Sequence, residues 1–146
     1  MKAGKLIGIR ENISPFEENK DLILSQWISY DEPKSILHFH QIDSVLFKEH
    51  YASGVFDYFI SVIKGDKELG DCPVMRELLA YLKDRDISAN ELFTICSHLR
   101  KSMVDFSYDA KINSKALFDE ISYVFDENFS GVLKLYTDTI YQKEQE

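Results

Sequence analysis

No stretch of this sequence stays apolar for the roughly 18 consecutive residues that a membrane-crossing helix needs. The opening MKAGKLIGIREN also lacks the hydrophobic segment that heads a secretory signal. The expectation is a cytoplasmic chain with no membrane insertion. Cysteine is scarce: Cys72 and Cys96 form no C-x-x-C pair and no Cys/His ligand pattern, so they read as free thiols of a reducing compartment, with no disulfide or zinc framework. Positive charge is in deficit, 17 Lys and Arg against 25 Asp and Glu, leaving −8 at pH 7. That balance argues against a nucleic-acid backbone or an anionic bilayer as partner. Phosphate-cradling glycine loops, dinucleotide fingerprints, nucleophile elbows and HExxH pairs are missing, so nothing announces an enzyme, and no catalytic residue is assigned. Strand-like alternation is missing too.

What is there is helical patterning. With 146 residues, 45% of them apolar, the chain suffices for one domain that buries roughly two-thirds of its unfolded surface. Residues 1–14 have no sustained period and read as an arm. Ser14-Pro15-Phe16-Glu17 then predicts a helix start, with Ser14 and Glu17 as a capping box and Pro15 at the first position. That helix should run to Tyr30, with Phe16, Ile23, Trp27 and Tyr30 on one face. Asp31-Glu32-Pro33 breaks it and starts the next. From Lys34 to Lys64 the chain is nearly continuously helix-compatible, with Asp43-Ser44 as an internal cap and Gly65 as a stop. Gly54 inside that run calls for either a close backbone neighbour or a bend. Pro73 to Asp84 carries Met75, Leu78, Leu79 and Leu82 on one stripe, and Ser88 with Glu91 is a second capping box, opening a helix to about Tyr108.

The last segment, 113–146, is capped by Asn113 or Ser114 and is free of proline, which predicts a helix of about 50 Å. Phe118, Ile121, Phe125, Val132 and Leu135 form one apolar stripe on it, and Phe129, Leu133, Tyr136 and Ile140 a second. Two stripes imply two partners, the chain's own body and a second copy. The predicted dimer seam is therefore Phe129, Val132, Leu133, Tyr136 and Ile140, with Trp27 and Phe59 beside any internal pocket. The fold expected is all-α, five to six helices in a bundle with a long terminal helix.

Little in the chain suggests chemistry. His38 and His40 are two residues apart, about 200° around a helix, and no ligand pattern accompanies them or His50 and His98, so no metal site is assigned. Cys72 directly precedes Pro73, where a helix N-terminus would lower a thiol's pKa and favour redox sensing; an ordinary packed cysteine is the simpler reading.

The order of parts is similar to a known family. A tryptophan-bearing first helix (Ser25-Gln26-Trp27), the RELLAYL helix (Arg76 to Leu82), the ISANELF helix with HLRKSM (His98 to Met103) and a long terminal helix ending in YQKEQE resemble the haem-less globin-like sensory domains of bacterial stressosome proteins. Similar input domains precede histidine kinases, in two-component systems, and diguanylate cyclases. The resemblance implies a globin-related homodimer and a signalling output module following Glu146. It leaves a haem or other cofactor sensor as an alternative, with His98 as the candidate ligand, and a protein-binding adaptor as another. If the second stripe pairs two copies, light scattering at micromolar concentration should give a mass of two chains; a single-chain mass contradicts the pairing.

Overall fold

The computed structural model describes residues 11–67 and 73–145, and among these the chain forms helices and no strand. Seven helices follow in order: α1 Ile13–Glu18, α2 Lys20–Ser29, α3 Asp31–Phe39, a composite α4, α5 Pro73–Asp84, α6 Ala89–Asp109 and α7 Lys115–Gln145. Composite α4 starts at Ser44–Leu46, widens to a π-helix over Phe47–Ala52 and returns to α over Ser53–Lys64. The all-α expectation holds.

The first predicted helix is broken in two. Asn19 leaves helical geometry, and both its backbone N–H and its side-chain Nδ2 donate to the Pro15 carbonyl, at 3.1 and 2.8 Å. A short amide side chain competing for backbone partners ends the helix there. The predicted Ser14–Glu17 capping box does not form: Asn12 stands at the N-cap, its side chain making no capping bond to the helix, and Glu17 pairs with Lys64 at 2.8 Å. Phe16, Ile23 and Trp27 are buried as predicted, but Tyr30 turns extended and begins α3. Asp43 and Ser88 cap α4 and α6 as expected, and the Ser88–Glu91 box is complete. Ser114 caps α7, accepting from the Leu117 N–H at 3.0 Å.

Four helix ends share one device. Gly65, Gln41, Asp86 and Lys111 adopt positive φ, and the residue after each donates to the carbonyl five positions back. For the last three that residue is an isoleucine, Ile42, Ile87 or Ile112, folded against the helix it terminates.

α6 is the centre of the packing, lying against α2, α3 and α7. Its Leu92, Ile95, Leu99, Met103 and Phe106 are buried, each contributing about 1.5–3 kcal/mol. Directional bonds fix the register. Trp27 Nε1 donates to the Ile95 carbonyl at 2.7 Å, Ser102 Oγ to the Ile23 carbonyl at 2.8 Å, and Tyr30 Oη to Asp105 at 2.6 Å. Burial and the Asp105 charge push the Tyr30 phenol well above its ordinary range, so it donates at any physiological pH.

Gly54 has the close neighbour the sequence called for, but it is a side chain. A Cβ built there would lie 2.7 Å from Cγ2 of Val74 on α5. Gly54→Ala should therefore cost about 1 kcal/mol net, the clash outweighing the gain in helix propensity. In a Val74→Ala background the same change should stabilise by up to about 1 kcal/mol; denaturant melts of the four proteins test that reversal of sign.

Candidate functional site

α7 is 31 residues long, about 46 Å at ~1.5 Å per residue. Leu117, Ile121 and Val124 bury its first turns on the body, and Tyr136 is fully buried near its far end. No described side chain between Val124 and Tyr136 is buried. Three turns of helix thus pass over the body without a fully closed contact.

Beneath that span lies an apolar cleft of about 130 Å³. Trp27 of α2, Phe59 of α4, Met75 of α5 and Leu99 of α6 form its floor, and Phe125, Phe129 and Val132 of α7 form its roof. Arg76 is the one charged residue on the wall. The sequence-predicted pocket residues Trp27 and Phe59 are brought together here. The indole is locked by its bond to Ile95 and by an edge contact with Phe47 at 5.7 Å, and Phe59 packs on Phe125 at 5.5 Å. Cys96 also faces the cleft, and desolvation pushes its thiol up to about 12, so at neutral pH it is protonated and not nucleophilic. Gly131 lines the cleft with open space where a Cβ would stand.

The two predicted stripes of α7 are corrected. Phe118, expected inside, is 49% exposed, because the buried stripe is Leu117, Ile121 and Val124, one position round. Tyr136, expected on the dimer seam, is consumed by its own chain: its ring is buried and its hydroxyl donates to the Ile87 carbonyl. Phe129 and Val132 roof the cleft, Phe129 also meeting Phe93 edge-on at 5.3 Å, and Leu133 is half-buried. The side chains of Leu135 and Ile140 lie outside the described residues, as does Cys72. The signal that would have located Tyr136 was its partner, an isoleucine carbonyl 49 residues away in sequence, which no local pattern reveals.

His98 is not on the cleft wall. Its Nδ1 lies 2.7 Å from the Thr94 carbonyl of its own helix, and its ring tilts against Tyr30. The cleft presents no imidazole, and its volume falls below the roughly 300–1,000 Å³ of sites for drug-sized ligands. Among the described residues there is no cluster of three or more metal-ligating side chains, and no helix long and apolar enough to cross a membrane. No family model, curated protein or solved structure matches the chain.

Burial, reinforced by the charges of Glu91 and Asp86, pushes the Tyr136 phenol up to about 12. A raised phenol favours the fold below its ordinary value near 10, and that contribution is lost as pH climbs from about 10 to 12. Tyr136→Phe should cost about 1 kcal/mol at pH 7, because the buried Ile87 carbonyl loses its donor. It should also flatten the loss of stability between pH 10 and 12; urea melts across that range check both.

Proposed function

We propose that this chain is a sensory or regulatory module of a bacterial signalling protein, of the kind that works with a histidine kinase, diguanylate cyclase or stressosome assembly. Its signal leaves through α7. The observation that carries this reading is the two-point attachment of α7 across an apolar cleft. A molecule entering the cleft touches α7 on one side and four other helices on the other. Occupancy then changes the spacing that the unsupported turns prefer, and the helix transmits the change along its axis.

Magnitudes favour a modest signal. Three CH₂ groups newly buried contribute about 2.4 kcal/mol, a population shift of roughly 50-fold. That is adequate for regulation and far below what would unfold a domain. An apolar cavity of roughly 150 Å³ accepts benzene, so the ligand this cleft suits is a single ring or a short alkyl chain. Arg76 at the wall favours an anionic head.

A second reading, an adaptor or a self-pairing module, is supported by Phe93 and Phe118, apolar side chains 52% and 49% exposed. They belong to a set of seven exposed large hydrophobics among the described residues, spread over several helices, and a spread of single side chains makes a smaller case than a cleft lined by five helices.

Hexanoate and hexanol are suitable probes, and Trp27, the only tryptophan, is the reporter. Both should shift its emission at millimolar concentration. Arg76→Ala should weaken hexanoate several-fold, up to about tenfold, and leave hexanol unchanged, while Val132→Phe, which fills the cleft, should abolish both responses. No response of Trp27 to either probe overturns the proposal.

A further inference from the structure

The far anchor of α7 stands on a short turn, and that turn is itself held by a histidine. Tyr136 donates to the carbonyl of Ile87, which lies between Arg85 and Glu91 in the chain. His40, at the end of α3, reaches both of those flanking residues. Its Nδ1 lies 2.8 Å from the Arg85 carbonyl and its Nε2 lies 2.8 Å from the Glu91 carboxylate. The imidazole is 9% exposed, so water does not compete strongly for either nitrogen.

Proton counting decides what this geometry requires. A carbonyl oxygen only accepts, and an ionised carboxylate only accepts. The Glu91 carboxyl is ionised: although burial opposes it, the Ser88 N–H at 2.9 Å and His40 hold it below the ordinary carboxylate range. Two acceptors facing two ring nitrogens need two N–H donors, and an imidazole has two only as the cation. Loss of one proton turns a lone pair toward one of the acceptors and opens that contact.

We propose that His40 is a proton-operated clasp on the turn that docks α7: with both ring protons present, residues 85–91 are fixed and Tyr136 stays seated, and with one lost the turn and the end of α7 are released together. The other charged and titratable groups around it come from each neighbouring element. Glu91 of α6 and Arg85 of the turn meet the ring directly; one step further out, Glu91 and Asp86 act on the Tyr136 phenol of α7, and Arg85 meets Tyr81 of α5. The Arg85 guanidinium is engaged elsewhere, donating to the Gln41 carbonyl at 3.1 Å and lying 5.0 Å above the Tyr81 ring. His38, on the same helix, lines a separate hollow with Ile28 and Lys34.

The sign follows from the form the fold holds. The cation is the bound form, so the clasp is closed while the ring carries both protons and opens when one is lost. This is a second input to α7, independent of whether anything enters the cleft.

The test is ¹⁵N NMR on the full chain from pH 5 to 9, reading the His40 ring nitrogens together with the amides of Ile87 and Tyr136. Both ring nitrogens should be protonated at the acid end, and the two amides should titrate with the same midpoint as the ring. Hydrogen exchange at Tyr136, corrected for the intrinsic effect of pH, should speed up about tenfold across that midpoint, the equivalent of about 1.4 kcal/mol. His40→Gln, which keeps one donor group but cannot titrate, should abolish the shared transition. A ring with one unprotonated nitrogen throughout, amides that do not follow it, or a transition that survives His40→Gln overturns the proposal. Should the variant lose its fold, the shared midpoint in the unaltered protein still decides.

Discussion

Unequal anchoring of α7 is the constraint on which the rest of the structure turns. At its start, three aliphatic side chains, Leu117, Ile121 and Val124, are buried against the body, together contributing several kcal/mol. At its far end, among the described side chains, the buried attachment is Tyr136, one ring and one hydrogen bond to a turn. Between them the helix is only partly buried, with Phe125, Phe129 and Val132 packed on the core around the cleft and a glycine in the span. A helix held this way converts a small change beneath it into displacement at its far end.

The body supplies a rigid counterpart. α6 is tied to α2 by Trp27 and Ser102, and Tyr30 at the start of α3 is tied to it through Asp105. Each bond joins a side chain of fixed geometry to a buried acceptor or a charge, which fixes the helices that form the cleft floor relative to one another. The π-helical turn at Phe47–Ala52 brings Phe47 edge-on against Trp27 and Tyr51 onto Tyr81. The polar clasp at His40 and the apolar cleft then act on the same helix at different points along it.

Much of this was legible in the sequence, and the reasons for the remainder are specific. Caps at Asp43, Ser88 and Ser114, the stop at Gly65 and the buried stripes of α5 and α6 are local and were readable from spacing alone. The break at Asn19 was not, because it depends on an amide side chain outcompeting the helix for one carbonyl. The ends at Gln41, Asp86 and Lys111 were hidden because the left-handed residue is not glycine; the readable trace was the isoleucine after each. Trp27 and Phe59 were foreseen beside a pocket, whereas Arg76 and Gly131 were not, since only the tertiary fold brings α5 and α7 together there. The stripe assigned to a second copy went astray at Tyr136 because a heptad count cannot see a hydrogen bond to a turn 49 residues away.

Native-state hydrogen exchange along α7 tests the two-anchor account most directly. Amides following Leu117 to Val124 should be strongly protected, those of residues 126–132 should exchange at least tenfold faster, and protection should rise again around Tyr136. A protection profile that falls steadily from Lys115 toward the C-terminal end, with no recovery at Tyr136, would mean that the helix frays from a single attachment and that the span over the cleft has no special standing.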